Sequence, residues 1–310
     1  MLRTLLIYLS RAGWARRMMS HWGLARRVSR RFVAGETEDE AIAAIKVLNA
    51  KSITATVDIL GESVSDASEA GSTVQSYLKL LDRVKAEGLD TTVSVKLTAL
   101  GLDIDRDLCL SNIRQLLDRA RKHGLAVTID MEGSDHTQRT LDILYMLFRD
   151  EGYGSTVQGV LQSYLYRTDA DAKQVADMGI AIRLCKGAYK EPASVAYPKK
   201  VEVDKAYERH TAILLDAAKE GRGYPGIATH DEKLIQAAKA YAAAHDIPLT
   251  NFEFQMLHGI RTALQDELAR DGYRVRVYVP FGGYWYPYFM RRLAERPANL
   301  WFFASNFFRR

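Results

Sequence analysis

Between Ile53 and Val279 one pattern recurs eight times: a short run with apolar residues at every second position, then a stretch with helical spacing. The predicted strands are Ile53–Leu60, Thr91–Ala99, Leu125–Glu132, Val157–Leu165, Ile180–Gly187, Gly226–His230, Asn251–Leu257 and Val275–Val279. The predicted helices between them are Ser65–Glu87, Ser111–His123, Thr137–Arg149, Ala170–Met178, Asp204–Lys219, Glu232–His245 and Ile260–Asp271, and a further helix follows the last strand. Eight strand–helix units in one chain predict an α/β fold of the (β/α)8 TIM-barrel type. A doubly wound sheet is the alternative, but no Gly-x-Gly-x-x-Gly follows the first strand.

The phase of the strands says more than their number. In a barrel one set of side chains faces the helices and the other faces the lumen. Val57, Ile59, Val93, Val95, Leu97, Val127, Ile129, Ile180, Ile182, Leu184, Phe252, Phe254, Met256, Val275, Val277 and Val279 form a branched, apolar, helix-facing set. The opposite phase holds Asp58 and Glu62, Ser94 and Lys96, Thr128 and Asp130, Gln158 and Gln162, Arg183, Glu253 and Gln255, Arg276 and Tyr278. Burying so many polar groups is costly unless they pair. Arg276 is expected to pair with Glu253 near the bottom. Lys96, Asp130, Gln162, Gln255 and Tyr278 fall at C-terminal strand ends, where barrel active sites form, and Arg183 lies just below one. A polar ligand there would satisfy them.

The 310 residues suffice for one large domain, and neither a long linker nor a low-complexity tract interrupts them. The net charge is +5, and eight arginines without an acid lie within residues 1–31. Leu5–Leu9 is too short for the apolar core of a signal peptide, and no segment reaches the roughly 20 apolar residues of a membrane span. No nucleic-acid-binding motif accompanies the basic N-terminus. Cys109 and Cys185 form neither a CxxC nor a metal spacing, which favours a reducing compartment and leaves no metal site expected. The expected layout is an N-terminal helical arm over 1–50, a barrel over 51–298 and an aromatic, basic tail over 299–310. Within the arm, Thr37 and Glu40 have capping-box spacing.

The stretch Arg274–Leu293 runs from the eighth strand through Gly282 and Gly283 into the last helix, with Pro287 expected in its first turn. On that helix Tyr288, Arg291 and Arg292 share a face. A ring beside two guanidiniums suits a small carboxylate; a solvated arginine pair is the plain alternative. Lys96 or Lys186, at strand ends, could instead form a Schiff base, as in barrel aldolases. Gly187 and Ala188 would let a ligand approach the backbone closely.

Five stretches together resemble the bacterial monofunctional proline dehydrogenases: Leu161-Gln-Ser-Tyr-Leu-Tyr-Arg167, Arg183-Leu-Cys-Lys-Gly-Ala-Tyr189, Ala228-Thr-His-Asp231, Phe252-Glu-Phe-Gln-Met-Leu257 and Tyr286-Pro-Tyr-Phe-Met-Arg-Arg-Leu293. The resemblance runs from about Glu36 to about Glu295. It implies a distorted barrel that binds FAD non-covalently at the C-terminal strand ends, with the last helix covering the mouth. It also implies oxidation of L-proline to 1-pyrroline-5-carboxylate, the first step of proline degradation, with electrons passed to a membrane quinone. By the same resemblance Arg291, Arg292 and Lys96 hold the proline carboxylate, Tyr278 and Tyr288 wall the ring, and Leu257 packs on it. Asp130 matches the family's active-site aspartate, and Arg183 stabilises the reduced flavin. Met131, Gln162, Lys186, Gly187, Ala188, Tyr189, Thr229, His230 and Gln255 join Arg183 at flavin-contacting positions, and Glu62 matches a gate that pairs with Arg291. One departure is Lys190, where the bifunctional relatives carry Trp. The expected location is the cytoplasm. The Arg-rich N-terminus and the aromatic tail have the composition of contacts to the inner face of the cytoplasmic membrane.

Overall fold

The computed structural model describes residues 29–61 and 64–295. Eight parallel strands close into a barrel in chain order: β1 (Thr54–Ile59), β2 (Thr91–Val95), β3 (Val127–Ile129), β4 (Val157–Gln162), β5 (Ile182–Cys185), β6 (Pro225–Ala228), β7 (Glu253–Leu257) and β8 (Arg274–Phe281). The seam is β1 against β8, with Thr56 level with Tyr278. The described helices are α1 (Glu38–Asn49), α2 (Ala67–Ala86), α3 (Arg106–His123), α4 (Ser134–Tyr145), α5 (Thr168–Met178), α6 (Lys200–Lys219), α7 (Glu232–Ala244), α8 (Thr262–Arg270) and α9 (Trp285–Glu295). The (β/α)8 expectation is met in full.

Differences from the sequence reading are local and have physical causes. The α3 helix starts at Arg106, not Ser111, because the Asp105 side chain caps it by accepting from Leu108 N at 2.7 Å. The helix expected over 137–149 ends at Tyr145 and widens into a π turn over Met146–Asp150. The β8 strand runs on to Phe281 because Asp58 and Ile59 of β1 remain in register with Pro280 and Phe281. The Thr37–Glu40 capping box is present at the start of α1.

The strand phases hold as well. Val57, Val93, Val95, Val127, Ile129, Leu184, Phe254, Val277 and Val279 are fully buried in one apolar cluster between strands and helices. Burying a side chain of this kind stabilises by about 1.5–3 kcal/mol, so this shell carries the barrel. The opposite face holds Asp58, Ser94, Thr128, Asp130, Arg183 and Glu253, all buried and polar. Among the described residues no helix is long and apolar enough to cross a membrane. Glu62, the Arg-rich residues 1–28 and the tail 299–310 lie outside the described residues.

Candidate active site

The lumen is filled by two layers of paired polar groups. Near the bottom, Arg276 of β8 meets Glu253 of β7 as a fork, with Nε to Oε1 at 2.6 Å and Nη2 to Oε2 at 3.1 Å. Arg276 also donates to Ala55 O at 2.7 Å, and Gln255 Nε2 donates to Glu253 Oε1 at 2.7 Å. This is the pairing that the strand phase predicted.

The upper layer is a network spanning five strands. Arg183 of β5 donates through Nη1 to Asp130 Oδ1 at 2.5 Å and through Nε to Gln255 Oε1 at 2.6 Å. Ser94 Oγ donates to the same Asp130 oxygen at 3.0 Å. Tyr278 Oη lies 2.9 Å from Asp130 Oδ2 and 2.7 Å from Asp58 Oδ2. Lys96 Nζ, just beyond β2, lies 3.1 Å from Asp58 Oδ2 and 3.6 Å from Asp130 Oδ2. Behind them Tyr77 of α2 donates to Asp58 Oδ1 at 3.1 Å.

Burial sets the protonation states here. It raises the Asp58 carboxyl above its ordinary value, only partly offset by the Lys96 charge, and neighbouring Asp130 raises it further. Burial, Asp130 and Asp58 together push the Tyr278 phenol well up, so it stays a neutral donor. Burial opposes the charge on Lys96, but Asp58 and Asp130 outweigh that and hold its ammonium above the ordinary lysine range. A lysine so firmly protonated is a poor amine nucleophile, which weighs against the Schiff-base alternative at Lys96.

Around the rim, Gln162 Nε2 donates to Glu132 O at 2.7 Å. Lys186 Nζ sits between Asp204 at 2.6 Å and Asp231 at 3.0 Å. Thr229 Oγ1 accepts from Asp231 N, and His230 Nε2 accepts from Leu257 N at 2.9 Å, which ties the ends of β6 and β7 together. Met131 is buried and Leu257 half-buried, whereas Ala188 and Tyr189 are exposed. Gly187 has φ +113°, and a Cβ there would stand 2.3 Å from the Tyr164 ring. The loop that carries it is pinned by Glu191, which accepts from Ser134 N at 2.9 Å and from Ser134 Oγ at 2.5 Å.

The α9 helix folds over this mouth. Pro287 lies in its first turn, where no intrahelical donor is lost. Tyr286, Tyr288, Phe289 and Met290 are buried. The Arg292 guanidinium lies 5.2 Å from the Tyr288 ring centre. Its charge also reaches Cys185 on β5, three strands from β8 around the barrel: burial pushes that thiol up to about 11, against the pull of Arg183 and Arg292. The part of the helix that carries Arg292 therefore lies toward β5. Of the expected site residues, Lys96, Asp130, Arg183, Gln255 and Tyr278 are joined in one network. Tyr288 and Arg292 come together above the mouth. The Arg291 side chain and Glu62 lie outside the described set, so the gate pair has no described geometry.

Two lumenal members of the network, and Tyr77 behind them, were not assigned a role from sequence. Asp58 and Ser94 were placed in the lumen by strand phase, and that phase was the available signal. It does not say which lumenal groups lie level with each other, because that depends on barrel shear.

Comparison with known proteins agrees with this geometry. The family model for proline dehydrogenase matches residues 41–305. The chain is 41% identical over 300 residues to proline dehydrogenase 1 of Bacillus subtilis subsp. natto, covering 96% of each. It is 41% identical over 281 residues to the proline dehydrogenase of Deinococcus radiodurans, covering 90% of this chain and 88% of that one. The crystal structure of proline utilization A from Bdellovibrio bacteriovorus inactivated by N-propargylglycine aligns with a TM-score of 0.82 at 26% identity, over 87% of this chain and 33% of that longer one. A closed (β/α)8 barrel, a polar network at its C-terminal mouth and matches spanning nearly the whole chain lead to one assignment: this chain belongs to the proline dehydrogenase family.

Proposed function

We propose that this enzyme oxidises L-proline to 1-pyrroline-5-carboxylate using FAD held at the barrel mouth, and that a membrane quinone takes the electrons. The observation that carries this reading is the joined set Lys96, Asp58, Tyr278, Asp130 and Arg183 beneath a helix bearing Tyr288 and Arg292.

The donor set fits a flavin. Arg183 is a buried cation fixed by Asp130 and Gln255, able to face the electron-rich edge of the ring system. Gln162 and Thr229 are buried and polar. Gly187 keeps the β5 loop close to Tyr164, where a side chain would not fit. Lys186, Ala188, Tyr189, His230, Gln255 and Met131 complete the holding set. When bound, FAD supplies a two-electron acceptor.

Substrate binding is assigned to the residues above and beside that site. Arg291, Arg292 and Lys96 hold the proline carboxylate, and a planar guanidinium fixes its orientation through paired bonds. Tyr278 and Tyr288 flank the ring and Leu257 packs on it. Asp130 is placed in the catalytic set because it orients both Arg183 and Tyr278. Glu62 with Arg291 forms the gate. The Arg-rich N-terminus and the aromatic tail are the segments assigned to a membrane surface, and no nucleic-acid partner is proposed.

The deciding experiment is the visible spectrum of the purified protein before and after anaerobic proline. A flavin spectrum that bleaches on addition supports the reading. Colourless protein that takes up no added FAD overturns the cofactor assignment.

A further inference from the structure

The short segment before α1 touches the lid as well as the barrel. Ala34 N donates to Pro280 O at 2.8 Å, and Gly282 N donates to Gly35 O at 3.0 Å. Trp285 Nε1, in the first turn of α9, donates to Glu36 Oε1 at 3.1 Å. The Phe32 ring lies 6.1 Å from that of Phe289, which meets Trp285 edge-on at 6.0 Å. The segment is itself fixed from behind. Glu36 N donates to Glu40 Oε2 at 2.8 Å, and Arg30 Nη2 meets Glu40 Oε1 at 2.8 Å. Gly35 has φ +112°, and a Cβ there would stand 2.3 Å from Glu40 Oε2. The strap therefore passes between the α1 cap and the lid with no room for a side chain at that point.

The lid needs such a hold. It leaves β8 through Gly282, at φ +123°, and Gly283, and glycines place few limits on the direction of the next helix. Nor is the join a continuous apolar interface. A cavity of about 260 Å³ lies there, lined in part by Arg30, Glu36, Glu40 and Trp285. Beside the packing of Phe32, Phe289 and Trp285, the Trp285–Glu36 bond is a directed contact that fixes the angle of α9.

We propose that Glu36 and Trp285 are positioning residues for proline, acting through α9 on Tyr288 and Arg292. The proposal rests on the reading of α9 as the substrate-binding helix. It makes the turn before α1 part of the substrate site, although that turn lies outside the lumen.

The test uses the full-length flavoprotein. Trp285→Phe keeps a ring and removes the donor; Glu36→Ala removes the acceptor; Glu36→Gln retains an acceptor oxygen. Trp285→Phe and Glu36→Ala should each raise KM for proline about three- to tenfold, with kcat within about twofold of wild type, the range one hydrogen bond supports. Flavin content should not change. Glu36→Gln should restore most of the affinity, and the double variant should be no worse than the worse single one, because both lose the same bond. Amide hydrogen exchange over 285–290 should quicken in Trp285→Phe and stay near wild type in Glu36→Gln. Wild-type KM and exchange in Trp285→Phe, or additive losses in the double variant, would overturn the proposal. Arg292→Met separates the two readings. If it raises KM while Trp285→Phe does not, the strap alone fails; if it leaves KM unchanged, the substrate-helix reading fails with it.

Discussion

Tyr278 Oη stands 2.7 Å from Asp58 Oδ2, so one hydrogen bond ties β8 to β1 across the seam where the barrel closes. The same hydroxyl lies 2.9 Å from Asp130 Oδ2, and one proton cannot serve both carboxylates at once. Two acids, one phenol and one ammonium thus share few protons in a buried space.

That crowding has a pH consequence. The Asp58 carboxyl is raised above its ordinary value of 3.8 by burial. A raised folded-state value means that its contribution to stability is full below the unfolded value and is lost as pH rises through the folded one. Asp58→Asn cannot show this loss. The melting temperature of the variant relative to wild type should therefore shift in the variant's favour as pH rises above the ordinary carboxylate range. Thermal denaturation across that range measures it, and a difference constant with pH would contradict the assignment.

Arg292→Met should raise KM for proline about tenfold or more, because a charged hydrogen bond is worth about 1.5–3 kcal/mol. Arg291→Met should act in the same direction. Flavin content, read from the ratio of visible to protein absorbance, should hold in both. Loss of flavin with unchanged KM would place these arginines on the cofactor instead.

Glu253→Gln addresses the opposite end of the lumen. It leaves the largely buried Arg276 guanidinium without its counter-ion. Breaking such a pair from one side costs about 3–5 kcal/mol. Denaturant unfolding should register that loss while KM for proline stays at its wild-type value. A large change in KM without loss of stability would show that the lower layer reaches the substrate.

Gly187→Ala should separate cofactor from substrate. A residue with φ near +113° and a Cβ 2.3 Å from the Tyr164 ring cannot be accommodated without moving the β5 loop. The backbone strain alone is about 1–3 kcal/mol. The expected result is a fall in bound flavin per protein, with less effect on KM in the fraction that remains loaded. Full flavin occupancy would show that the loop does not hold the cofactor.

Much of this architecture was legible in the residues. Alternation with period two placed all eight strands and sorted Asp58, Ser94, Asp130, Arg183 and Tyr278 into the lumen before any partner was known. The partners themselves were not legible. Tyr278 and Asp58 are 220 residues apart, and only the shear of the closed barrel brings them level. The Glu191–Ser134 pin, which spans 57 residues between a loop and the first turn of α4, had no periodic signal at all. The start of α3 was hidden in the acidic run around Asp103 and Asp105, where only the cap bond shows which residue begins the helix. The Trp285–Glu36 contact escaped for the same reason as the loop pin: it joins the first turn of α9 to irregular chain 249 residues away.

The two-layered polar lumen has a consequence for how the ring finds its alignment. Shifting one strand by a single residue exchanges its two faces. In β8 that slip would point Val275, Val277 and Val279 at Glu253, Asp58 and Asp130, and would turn Arg276 and Tyr278 into the apolar shell. That slip offers the carboxylates no partner from β8. The side chains assembled to receive a substrate therefore also act as a proofreading device during assembly, penalising any one-residue slip as the ring closes.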